Sequence, residues 1–399
     1  MVTIGLGSEF RFENFVANAG EEASYYGGGV QSFPGIQSQN AVDVNRQNFG
    51  FYVDLGADIN DDIYVGAAAR SEEYSDFGTS FTWKGAGRYK TMDDRLSLRA
   101  SMSTGFRAPS LHQIYMSNIQ TLISGGTVSN QGTFNNHSPV VRSLGVEKLK
   151  EENATNSTFG LAFKPIDGLY LSLDMYNVAV DDRIVYSSAI GSDDTTSAVG
   201  AILNDYNVTS IKFFTNAVSS TTKGMDFVAS YSGLEVGPGA LDVSVSYNSN
   251  TTELGDKITT PTPISSSGAD IFDRKEQSRL ISARPSSKLI LGLDYSMGNL
   301  SIGLNNTQFG EVTWQHASDA SMDQTFSAKL VTDLNLNYQV SDNLSVNLAL
   351  NNLLNVYPDV IDTKGDFVTD LGGRFKYPWE VNQFGFMGTN FMGTISYDF

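Results

Sequence analysis

The chain contains no cysteine and only three histidines, His112, His137 and His316, in 399 residues. The first absence excludes a disulfide scaffold, thiolate metal sites and thiol nucleophiles, and the second argues against a histidine-rich metal centre. Cations are scarce too. Lys and Arg number 26 against 44 Asp and Glu, a net charge of −18. With no basic stripe to neutralise phosphates, no nucleic-acid partner is expected. Charged residues of both signs make up 18 %, below the roughly 25 % of ordinary soluble domains. No apolar run is long enough for a membrane-spanning helix. The opening "MVTIGLGSEFRFENF" has neither a basic leader nor an unbroken apolar stretch, so no signal peptide is expected there.

What the chain does have is alternation at period two, repeated in segments of about ten residues. Leu289, Leu291, Leu293, Tyr295 and Met297 form one face of such a segment, and Leu344, Val346, Leu348 and Leu350 one face of another. About fourteen strands are predicted, at roughly 2–15, 43–59, 62–76, 79–90, 94–106, 153–164, 168–185, 211–232, 240–250, 286–297, 299–312, 326–340, 343–351 and 389–399. Short turns such as Asn60-Asp61-Asp62 and Gly298-Asn299 alternate with long polar connections at about 16–42, 107–152, 186–210, 251–285, 313–325 and 352–388. The short link near Ser75–Gly78 is the one misfit.

Soluble domains rarely carry so many long loops, whereas outer-membrane barrels pair short periplasmic turns with long extracellular loops. The non-apolar face is Asn, Ser, Asp and Gly, suited to a wet interior. Lys and Arg are almost absent from the apolar face at mid-strand, where each would cost roughly 2–4 kcal/mol in a bilayer. The expected class is all-β, an antiparallel transmembrane barrel in the outer membrane, with lipid against its apolar face.

Four segments resemble those of TonB-dependent receptors. "TGFRAPSLHQIY" (104–115) is similar to their FRAP-type signature through Phe106, Arg107, Ala108 and Pro109. "LKEENATNSTFGLAFKP" (149–165) resembles their L-x-P-E segment, with Glu151 where proline is usual and Thr158 where a glutamate is usual. "TNAVSSTTKGMDFVASYSG" (215–233) and "VNLALNNLLNVYPDV" (346–360) follow in the family's order, and the aromatic strand ending at Phe399 completes the set.

The resemblance implies a barrel of about twenty-two strands, of which residues 1–399 would be the C-terminal portion, with the plug domain absent. It implies energy-coupled uptake of a scarce ligand such as a siderophore, vitamin or saccharide. TonB would be reached only through the missing N-terminal part, and the barrel-assembly machinery through the terminal strand. The alternative is a self-standing passive channel, or a transporter of hydrophobic compounds, of about fourteen strands. No enzyme activity and no cofactor are expected.

Candidate ligand-binding residues are Tyr25, Tyr26, His112, His137, Trp314 and Trp379, all in or beside the long connections. Tyr206, Phe213, Phe214, Tyr357 and Phe33 share that setting, where rings either stack on a ligand or form an interfacial girdle. His137 lies where some haem receptors of the family place a histidine, but no NPNL motif follows. Ser110 and His112 would share a face of a strand, with no orienting acid placed beside them. Acidic pairs such as Glu72-Glu73 and Asp181-Asp182 lack the alternating ligand spacing of a calcium loop. "YYGGGVQ" (25–31) reads as a plain loop rather than a phosphate cradle. Arg107 is expected to orient the rim of the barrel, with Pro109 ending the ladder.

Overall fold

The computed structural model describes all residues except 26–34, 125–126, 193, 207, 257 and 363–374. Its main element is one antiparallel sheet of fourteen strands in sequence order. These are β1 (Val2–Ala17), β2 (Val42–Asp58), β3 (Ile63–Tyr74), β4 (Gly78–Thr91), β5 (Leu96–Arg107), β6 (Glu152–Phe163) and β7 (Leu169–Tyr186). There follow β8 (Phe214–Val236), β9 (Gly239–Leu254), β10 (Ser287–Met297), β11 (Leu300–Phe309), β12 (Lys329–Ser341), β13 (Leu344–Asn351) and β14 (Asn390–Tyr397). All fourteen predicted strands are present. The short β3–β4 link falls at the same end of the sheet as the long connections, so the alternation of ends is unbroken.

Register carries the period-two pattern across neighbours. Leu293, Leu304, Leu334, Leu350 and Phe391 stand opposite one another on β10 to β14, a continuous apolar row. On the other face Arg99, Gly160, Asp174, Asp226, Asn248 and Lys288 form a polar row from β5 to β10. Gly160 leaves room in that row. A Cβ there would lie 2.5 Å from Arg99 Nε and 2.2 Å from Asp174 Oδ1, and Arg99 reaches over it to donate to Asp174 at 2.6 Å. A one-residue slip would exchange the two faces, so the pattern itself fixes the register.

Among the described residues nothing closes over the apolar face of the sheet. Phe10 is 66 % and Phe391 77 % exposed. The sheet is open: β1 pairs with β2 and β14 with β13, and no described pairing joins β1 to β14. No helix among the described residues is long and apolar enough to cross a membrane.

The buried apolar core lies elsewhere, in the long connections. Sequence periodicity was blind to the small elements there. A four-stranded sheet (Ile190–Gly191, Ser210–Lys212, Thr127–Thr133, Asn118–Ser124) joins two connections through a parallel pair. Helices Ala198–Asp205, Thr262–Ser266 and Arg274–Ile281 lie over the same end. Two of them begin on side-chain caps. Ser197 Oγ accepts from Gly200 N at 3.0 Å and Asp273 Oδ1 from Glu276 N at 3.0 Å, each satisfying a donor the first turn leaves free. Val199 and Leu203, one turn apart, pack with Val140, Ile211, Phe213 and Ile264 into a cluster closed to solvent. A second cluster gathers Val312, Trp314, Phe326, Ile361 and Val381.

Candidate functional site

The polar face of the sheet meets the loop cap at the ends of β1 to β5, and the FRAP residues are at that junction. Arg107 is the last residue of β5. Its Nε and Nη2 donate to the two carboxylate oxygens of Glu152 at 2.7 and 2.6 Å, a two-pronged pair across the β5–β6 ladder. Glu152 Oε1 also accepts from Ile184 N on β7 at 2.6 Å. Phe106 meets Tyr74 edge-on, their rings 5.9 Å apart. Ala108 is half-buried, and Pro109 is buried just beyond the ladder.

Pro109 O accepts from Arg46 Nη1 at 2.6 Å. Arg46, 4 % exposed, also donates through Nη2 to Glu13 Oε2 at 2.6 Å and lies 3.5 Å from Asp76 Oδ2. One buried guanidinium thus ties β1, the β3–β4 turn and the chain leaving β5. A planar fork with five donors can serve three partners at once.

The Ser110–His112 interval is the start of a helix, Leu111–Tyr115, and not a strand. Ser110 Oγ accepts from Gln113 N at 3.2 Å and Gln113 Oε1 from Ser110 N at 3.0 Å, a capping box. The His112 ring rests 4.2 Å from that of Phe15. Serine and histidine therefore serve a cap and a packing contact.

The other candidates disperse. Tyr25 ends the helix Glu22–Tyr25, its hydroxyl 3.4 Å from Ser38 Oγ. Tyr26, Phe33 and most of "YYGGGVQ" lie outside the described residues. His137 has its ring 5.1 Å from Tyr115. Burial, and then Lys148 and Arg142, push its pKa below the usual histidine value. Trp314 is closed to solvent and donates from Nε1 to Glu380 Oε2 at 2.6 Å, so it presents no open face to a ligand. Trp379 is half exposed. Phe213 is buried, Phe214 is half-buried against Tyr186, and Tyr206 is exposed beside the helix Ala198–Asp205. Tyr357 stacks on Tyr377 at 5.6 Å.

Of the acidic pairs, Glu72 is buried beside Arg70 and Asn48 while Glu73 points outward. Asp182 pairs with Lys150 at 2.8 Å. Among the described residues no group of three or more His, Asp or Glu is placed to hold a metal ion.

Several organising residues carried no sequence signal. Asn136, fully buried, donates to Glu147 O and Phe214 O at 3.0 Å each and accepts from Arg142 and from Leu149 N. Glu380 anchors a charged cluster: Arg279 donates to it, Lys275 Nζ lies 3.6 Å away, and Arg279 also donates to Glu276 at 2.7 Å. The only available hint was a single acid set among aromatics in "YPWEVNQF", since buried carboxylates need partners.

An antiparallel sheet with an apolar outer face, a polar inner face and connections alternating short and long is the wall of an outer-membrane β-barrel. The chain belongs to the family described as "TonB dependent receptor-like, beta-barrel", whose model matches residues 2–353. It is similar in structure to the siderophore receptor PirA from Acinetobacter baumannii, at 16 % identity and a TM-score of 0.64, over 100 % of this chain and 52 % of that one. A mutant of the ferric enterobactin receptor PfeA from Pseudomonas aeruginosa gives 17 % identity and a TM-score of 0.61, over 89 % and 46 %. PirA from Pseudomonas aeruginosa gives 14 % and 0.55, over 89 % and 50 %. The chain thus spans about half the length of these structures. No curated protein matches it by sequence.

Proposed function

We propose that this chain forms the C-terminal portion of the barrel wall and loop cap of an outer-membrane receptor that takes up a scarce small molecule, driven by TonB. The observation that carries this is the unbroken fourteen-strand sheet, over the first thirteen strands of which the receptor-barrel family model runs, from residue 2 to 353. Energy coupling would come through parts of the receptor beyond these residues. The loop cap supplies what a capture surface needs: exposed rings such as Trp379 and Phe386 held on a packed base. The terminal strand, with Tyr397 and Phe399 in edge contact at 5.1 Å, is the segment proposed to engage the barrel-assembly machinery. Lipid covers the apolar row. Against the alternative of a self-standing channel, the described residues hold no β1–β14 pair, and a sheet in lipid needs closed edges.

The test is growth of gene-deleted and wild-type cells on single limiting nutrients: iron chelates, corrinoids or oligosaccharides. A defect on one nutrient that loss of TonB reproduces supports the proposal. A defect that is independent of TonB refutes it.

A further inference from the structure

On the polar face, Thr307 and Phe309 of β11, Val331 and Asp333 of β12, and Asn351 of β13 form one side of a cavity of about 300 Å³. It lies at the long-connection end of these strands. Its other side is the segment leading into β14, with Phe384, Gly385, Met387 and Gly388. Phe384 stacks on Phe309 at 5.4 Å, which sets its ring as a wall. Gly388, at φ +74°, lets the chain pass the Tyr357 hydroxyl, where a Cβ would come within 2.2 Å. At Gly385 a Cβ would meet nothing within 4 Å, so the cavity opens there. Tyr357, Tyr377 and Phe386 continue the aromatic surface outside it, stacked at 5.6 and 5.9 Å.

The polar lining is amide, hydroxyl and one carboxylate. Asp333 Oδ1 accepts from Asn352 N at 2.7 Å, and Asn351 donates to Asn390 at 3.0 Å. Among the described residues no lysine or arginine lines the cavity. Three described cations nearby are engaged: Lys288 lies over the Phe309 ring at 5.2 Å, Lys329 is paired with Asp359 at 2.6 Å, and Lys376 lies over the Tyr377 ring at 5.2 Å. Aromatic walls with carboxylate and amide acceptors suit a neutral, hydroxyl-rich ring, whose C–H face stacks while its hydroxyls donate. A lone carboxylate in a chain of net charge −18 repels an anion.

From this chemistry we infer that the cavity binds a saccharide ring, rather than an anionic iron chelate of the kind a ferric enterobactin receptor takes. The inference rests on the receptor reading above and names its substrate class. The whole chain in detergent is titrated with neutral oligosaccharides (gluco-, xylo-, galacto- and chito-oligomers) and, separately, with a ferric tris-catecholate. At least one oligosaccharide is expected to bind. Asp333→Asn and Phe384→Ala are each expected to weaken it at least tenfold, while Phe384→Tyr, which keeps the ring, stays within about threefold. The conservative Asp333→Asn and Phe384→Tyr variants separate lost contacts from lost folding. No oligosaccharide binding, binding unchanged in Asp333→Asn and Phe384→Ala, or preferential binding of the catecholate overturns the inference. None of those outcomes touches the receptor reading, which falls only on uptake that does not depend on TonB.

Discussion

The wall and the cap of this molecule use the same apolar residue types in opposite ways. In the wall, Phe10 and Phe391 are largely exposed, while in the cap Phe213, Leu203 and Trp314 are closed to solvent. The wall is held by hydrogen-bonded neighbours in sequence order, and its apolar side chains need only a fluid solvent. The cap is held by side chains from distant connections fitted to one another. Substituting a wall residue therefore changes transfer energy, whereas substituting a cap residue also leaves a cavity, because a packed interior cannot close over a gap and an open face has none to close.

The largest expected effect comes from the cap. Phe213→Ala should cost about 3–5 kcal/mol of local stability, the transfer and cavity terms together. Hydrogen exchange should show connections 187–213 and 255–286 deprotected while the strand signal of the sheet persists. Arg46→Ala tests the seam between wall and cap. Removing a buried charge from its partners costs about 3–5 kcal/mol, here nearer the lower figure because Glu13 keeps solvent access. Protection should fall first at residues 109–115, and loss confined to β1 would refute the assignment of Arg46 as a tie to Pro109.

Leu304→Arg sharpens the wall side. Placed mid-row between Leu293 and Leu334, it should cost about 2–4 kcal/mol in bilayer-based unfolding and much less in water-rich detergent. Phe10→Ala, with no cavity to add, should cost only about 1.5–3 kcal/mol. A larger loss than for Phe213→Ala would break the contrast. The smallest effect is the pH response of His137. Its pKa is lowered by burial, with Lys148 and Arg142 adding to the shift. The unfolded chain takes up this proton near pH 6.5, the folded chain only at lower pH. The stability of the 108–151 connection should therefore be full above about pH 6.5 and fall as pH drops through the folded value. His137→Gln should flatten that dependence in exchange measurements.

The wall was legible because each strand announces itself locally. Period-two alternation needs only ten residues of context, and the predicted strands lie within a few residues of the observed ones, 43–59 against Val42–Asp58 for β2. The cap was not legible. The strands Ile190–Gly191 and Ser210–Lys212 are too short to show a period, and one of them pairs with Thr127–Thr133 almost eighty positions earlier. Trp314 stood among the ligand candidates because a loop position says nothing about what folds over it, here Glu380 and Val381 from sixty-six and sixty-seven residues on. The sequence placed Ser110 and His112 in a connection, beyond the Pro109 that ends the ladder, but did not show the capping box that turns the next residues into a helix.

Sequence by itself thus determined the class of sheet, its fourteen strands, which face is apolar and which ends carry the long connections, since all of these follow from local alternation and turn chemistry. Tertiary structure alone decided the seam at Arg46 and Pro109, the pairing of Arg107 with Glu152, the burial of Trp314 and the cavity beside Asp333. Each of those needs residues from separate connections or strands brought together in space, and no local pattern encodes a distance between them.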